Sequence, residues 1–114
     1  MKADDLKHRT KVFALRIIKL VESLPPSRVA DVIGRQLVRC GTSVGANYIE
    51  ANEALGKRDF LMRIRICRKE AKESGYWLKL VEAGDPDLRK EQELLLREST
   101  ELMKIFGSIL TKSQ

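Results

Sequence analysis

The chain has little of the chemistry that most enzymes depend on. Its 114 residues include one histidine, His8, and two cysteines, Cys40 and Cys67. Three such ligands on separate segments do not make a zinc site, and no Cys-x-x-Cys pair exists for redox work. A catalytic triad would rest on His8 alone, close to the N-terminus. Seven glycines are too scattered for either common phosphate-cradling loop. No apolar run approaches the roughly 20 residues needed to cross a bilayer, which leaves a membrane partner without support. Met1 to Asp5 carries no apolar stretch of the kind that leads a secreted chain, so a cytoplasmic setting is expected. There, Cys40 and Cys67, both on apolar helical rows, are expected to be buried free thiols; a disulfide or a metal pair is the alternative. Period-two alternation of useful length is also missing, which argues against strands.

Helical periodicity fills the space left by these absences. Leu6, Thr10, Phe13, Ile17, Leu20 and Leu24 alternate steps of three and four. So do Ala30, Ile33, Leu37, Cys40, Val44, Asn47 and Ala51, then Phe60, Ile64, Cys67, Ala71, Ser74, Leu78 and Val81. Leu88, Gln92, Leu95, Ser99, Leu102, Phe106 and Ile109 form the fourth row. Each row keeps one direction on a helix. Leu24-Pro25-Pro26-Ser27, Leu55-Gly56-Lys57 and Ala83-Gly84-Asp85-Pro86 punctuate them, with Asp4 or Asp5, Ser27, Asp59 and Asp85 as candidate caps. The chain is thus expected to be all-α, one antiparallel up-down-up-down four-helix bundle with helices at about 5–23, 28–54, 59–83 and 87–111. Gly34, Gly41 and Gly45 share a narrow strip, which suggests close approach by another backbone or a kink near Gly41. Asn47, polar in an apolar row, is expected to set register or to bond a neighbouring helix.

The third helix carries the most information. Net charge is +6, and residues 57–81 hold eight basic side chains against three acidic. At 100° per residue they fall into sectors. One is the apolar row. A second holds Lys57, Arg58, Arg65, Arg68, Lys69, Lys72 and Lys79. A third holds Met62, Ile66, Trp77 and Leu80, with Glu73 among them. The basic sector suits phosphate, an acidic protein, or plain solvent. The apolar third sector would be costly on a monomer and points to self-association. Four-helix bundles can also house two metal ions through Glu-x-x-His pairs. Here Glu50 with Glu53 and Glu70 with Glu73 have the spacing without the histidines, so Glu50, Glu70 and Glu73 are expected to be structural, with Glu70 and Glu73 accepting hydrogen bonds or pairing with Arg39, Arg63 or another subunit's cation. No cofactor is expected. Tyr76 lies nearer the basic sector than Trp77 and is the better candidate to stack on a base.

Residues 39–51 read RCGTSVGANYIEA, 57–61 read KRDFL, and 66–78 read ICRKEAKESGYWL. Together they resemble the bacterial 23S rRNA intervening-sequence proteins, and the resemblance covers nearly the whole chain. It implies a four-helix bundle that assembles into a ring, typically a homopentamer, and it brings no enzymatic activity and no functional residues. A similar bundle is the accessory variability protein of diversity-generating retroelements, a basic pentamer that binds nucleic acid and a reverse transcriptase. The combined expectation is a non-enzymatic oligomer that binds nucleic acid, structured RNA above all. Arg58, Arg65, Arg68, Lys69, Lys72 and Lys79 would contact phosphate, and Met62, Ile66, Trp77 and Leu80 would lie at the subunit interface. A scaffold recruiting a polymerase or a ribosome-associated protein is the alternative.

Overall fold

The computed structural model describes residues 1–113, and nearly all of them are helical. Helix α1 spans Ala3–Glu22, α2 Arg28–Asn52, α3 Lys57–Leu80 and α4 Pro86–Ser113, with no strand among the described residues. Each helix packs on its neighbour in sequence, and α1 closes the square against α4; the two diagonal pairs stand further apart. This is the antiparallel up-down-up-down bundle, with extents of 44 × 23 × 19 Å.

The helix ends follow local chemistry, with corrections to the sequence reading. Ser27 caps α2 through its hydroxyl, which accepts from the Ala30 N–H at 2.9 Å. Asp85 caps α4, accepting from the Leu88 N–H at 2.9 Å, and Pro86 opens that helix where no N–H is needed. Neither Asp5 nor Asp59 is a cap residue. Both lie inside the first turn, where Asp5 accepts from the Lys2 N–H and Asp59 from the Leu55 N–H. Helix α3 stops at Leu80 rather than near residue 83, because Val81 turns extended. The Gln92 side chain then donates to the Leu78 and Val81 carbonyls at 2.6 and 3.0 Å, satisfying groups the finished helix leaves open. Gly84 takes φ +92°, a conformation that favours glycine, and its Cα faces Pro25 so closely that a Cβ would lie 2.6 Å from the proline Cγ. The two turns at this end of the bundle are thereby locked together.

The predicted rows form the core. Phe13, Ile17, Leu20, Leu37, Val44, Ile64, Leu78, Leu95, Leu102 and Phe106 are almost wholly buried. Two rows need correction: Leu110, not Ile109, takes the last buried seat on α4, and Tyr48, not Asn47, takes the buried seat on α2, its ring centroid 5.9 Å from that of Phe106 of α4. Asn47 sits at the margin. Its amide donates to Ser43 and its carbonyl accepts from Arg63 Nη1 at 3.1 Å, which links α2 to α3. Cys40 and Cys67 are free and buried. Cys67 donates to the Val44 carbonyl across the α2–α3 seam, and burial pushes its thiol up to about 12.

Helix α2 is continuous through Gly41, so the glycines serve approach and not a kink. They face α1 of the same chain. A Cβ on Gly34 would meet Val21, one on Gly41 would lie 2.5 Å from Ile17 Cδ1, and one on Gly45 would crowd Thr10 at 3.1 Å. On the other side α1 is clasped to α4 by two forked pairs. Arg9 donates to both Glu98 oxygens at 2.7 Å, and Arg16 to both Glu91 oxygens at 2.6 and 3.1 Å. The pairs stand one heptad apart on each helix. Hydrogen bonding by Arg16 holds the Glu91 carboxyl below its ordinary range.

Filling the glycine strip should separate α1 from α2. We expect Gly41→Val to lower the unfolding free energy by about 1–3 kcal/mol, because Ile17 is fully enclosed. Gly56→Ala, where an added Cβ meets open space but alanine caps α3 less well than glycine, should cost no more than about 1 kcal/mol. Urea titration of both variants checks the contrast.

Candidate nucleic-acid interface

The basic sector of α3 exists because the helix is buried along only one strip. With Ile64, Cys67, Ala71, Ser74 and Leu78 turned inward, Arg58, Arg65, Arg68, Lys69, Lys72 and Lys79 fall on the outside and are all exposed. Among the described residues none of the six makes a salt bridge or a side-chain hydrogen bond. Three other arginines are spent differently: Arg9 and Arg16 hold α4, and Arg39 holds α3. Arg28, Arg35, Arg89 and Arg97 are exposed and likewise make no salt bridge among the described residues, so what distinguishes the α3 cations is their concentration on one helix face.

Four of them converge. Arg65, Arg68, Lys69 and Lys72 line one shallow depression with Met103 of α4 as an apolar partner. The Arg68 stem crosses the α3–α4 groove: a Cβ on Gly107 would lie 4.0 Å from its Cδ, an ordinary contact. At the other contact between these helices, a Cβ on Gly75 would lie 3.0 Å from the Ser99 hydroxyl. Met103 carries no charge, and in sequence it reads only as part of the apolar side of α4; the α3–α4 register brings it to the site. Arg58 stands apart, in a depression with Leu55, Asp59, Met62 and Arg65 near the α2–α3 turn. Lys79 lies beyond the cluster at the other end. From Arg58 to Lys79 the row runs about 32 Å along the helix.

The third sector is divided. Met62 and Leu80 are exposed, 51% and 44%, whereas Ile66 and Trp77 are half-buried. Leu80 shares a groove with Pro25, Val29 and Ile33, and Val29 is itself 64% exposed. Trp77 packs against the core and donates from Nε1 to Glu73 at 2.9 Å. Arg39 of α2 reaches across to Glu73 and to Glu70; its Nη1 donates to Glu70 at 3.3 Å and its Nη2 to Glu73. Glu70 is buried, so this contact keeps a carboxylate paired inside the seam. Glu50 is exposed and makes no side-chain contact of this kind, and no three His, Cys, Asp or Glu side chains among the described residues cluster as a metal would require.

Residues 4–108 match the family described as 23S rRNA-intervening sequence protein. The chain belongs to this family. A crystal structure similar to it is that of a protein of unknown function from the S23 ribosomal protein family of Bacteroides thetaiotaomicron VPI-5482. The two chains share 34% identity with a TM-score of 0.83, covering 97% of this chain and 99% of that one. No curated protein matches the chain. No helix among the described residues is long and apolar enough to cross a membrane. For this family member, then, the bundle is shared with a relative over almost its full length.

Paired and unpaired arginines should behave oppositely on substitution. Arg39→Ala strands Glu70 and is expected to lower the unfolding free energy by about 1–3 kcal/mol. Arg65→Ala removes no contact and should change it by less than about 0.5 kcal/mol. Chemical denaturation followed by circular dichroism distinguishes the two.

Proposed function

We propose that the chain is a non-enzymatic, oligomeric RNA-binding protein that holds phosphate along the outer face of α3. The observation that carries this reading is the set of six exposed cations free of carboxylate partners, four of them around one depression. Long cationic side chains without local partners keep their full charge available to a polyanion. They contact phosphate without reading bases, so affinity would depend steeply on salt and weakly on sequence. The family name, with its link to 23S rRNA, makes structured RNA the favoured polyanion.

Oligomerisation belongs to the same proposal. Met62 and Leu80, with Val29 beside Leu80, offer apolar surface next to the basic sector without covering it. Assembly through that face would repeat the cations around a ring, and several weak contacts would then act together. A ring of five is what the resemblance to intervening-sequence proteins implies. Light scattering should give a multiple of the 13.0 kDa chain mass; a monomer at micromolar concentration would contradict assembly.

Replacing Arg65, Arg68 and Lys72 together by Ala tests the phosphate contacts. Affinity for a structured RNA in low salt should fall at least about 100-fold, and the salt slope of log K should flatten by about 2–3. Unchanged binding would remove the assignment. A protein partner retained after nuclease treatment, with no affinity for bare RNA, would favour a scaffold in its place.

A further inference from the structure

We infer that Tyr76 is a stacking platform and that the α3 face prefers RNA with unpaired bases to uninterrupted duplex. The inference rests on the reading of the basic sector as a phosphate-binding surface and adds a base-binding residue to it.

Position comes first. Arg65, Lys69, Lys72, Tyr76 and Lys79 follow one another at steps of four, three, four and three, so the tyrosine lies within the row of cations. Lys72 and Lys79 precede and follow it by about 6 and 4.5 Å along the helix axis. The Tyr76 side chain is 58% exposed, and its hydroxyl has no hydrogen-bond partner among the described residues. Neither burial nor a polar contact within the chain accounts for an aromatic ring there.

Support for the ring comes next. Tyr76 meets Trp77 edge-on, with ring centroids 5.1 Å apart and planes at 73°. Trp77 is itself tied to Glu73, which Arg39 holds from α2. The tyrosine therefore projects from a braced position, and an aromatic side chain with two torsions loses little entropy when a ligand lands on it.

The ligand class follows from what a ring can add. Phosphate contacts serve a duplex and a single strand alike. Bases inside a duplex already stack on one another, whereas splayed bases in loops, bulges and ends stack on protein aromatics. A ring flanked by lysines would thus gain energy only from an unpaired nucleotide whose backbone the lysines hold.

Fluorescence anisotropy on the full chain tests this with two probes, an unstructured RNA strand and the blunt duplex it forms with its complement. Tyr76→Ala should weaken strand binding about 5- to 100-fold, from the ~1–3 kcal/mol of one stacked base, and change duplex binding less than about twofold. Tyr76→Phe should keep strand binding, because the ring is retained. Trp77, the only tryptophan, provides a second readout: its emission should shift on binding the strand and not the duplex. Equal losses for both probes, or none for either, would overturn the stacking role while leaving phosphate binding intact. A change in oligomer mass on Tyr76→Ala would also overturn it, by placing the ring in an interface. Wild-type protein that binds neither probe would instead defeat the underlying reading of the basic sector.

Discussion

Helix α3 is packed against both α2 and α4 along a single buried strip, and the other features of the molecule follow from that restriction. A helix enclosed on all sides would have no room for six unpaired cations. A helix packed on one neighbour would not be held firmly enough to present them in a fixed row. Between two partners, α3 gives its inner strip to Ile64, Cys67, Ala71 and Leu78 and leaves the rest of its circumference free. A small residue sets the α3–α4 distance at one point: a Cβ on Gly75 would lie 3.0 Å from the Ser99 hydroxyl of α4.

Two kinds of polar contact keep this arrangement in register. Forked arginine–glutamate pairs clasp α1 to α4 at two points a heptad apart, and Arg39 spans the outer α2–α3 seam to a buried and a half-buried carboxylate. Asn47 and Arg63 repeat the α2–α3 link further along. These contacts consume particular arginines and glutamates, and none of the six outer cations on α3 makes a salt bridge among the described residues. The electrostatic asymmetry of the surface comes from the concentration of basic residues on α3, eight against three acidic over 57–81.

Much of this was legible in the residues. Alternating three- and four-residue steps mark the rows that become the core, and Ser27, Asp85 and Pro86 mark helix ends by chemistry that acts within one turn. What escaped the reading depends on neighbours far away in sequence. The seat of Tyr48 in place of Asn47 is decided by Phe106, and the glycine strip by the α1 side chains that fill it. The early stop of α3 at Leu80 is supported by Gln92, whose side-chain amide donates to the Leu78 and Val81 carbonyls. Met103 could not be assigned to the basic depression without the α3–α4 register. The outward direction of the α3 cations was readable from helical phase, but their freedom from ion pairs required knowing where every glutamate goes.

Lysine acylation with and without bound RNA, read by mass spectrometry, tests the central claim most directly. The account predicts that RNA protects Lys69, Lys72 and Lys79 on α3 and leaves exposed Lys11 and Lys19 on α1 as reactive as before. Protection of the α1 lysines with none on α3 would contradict it.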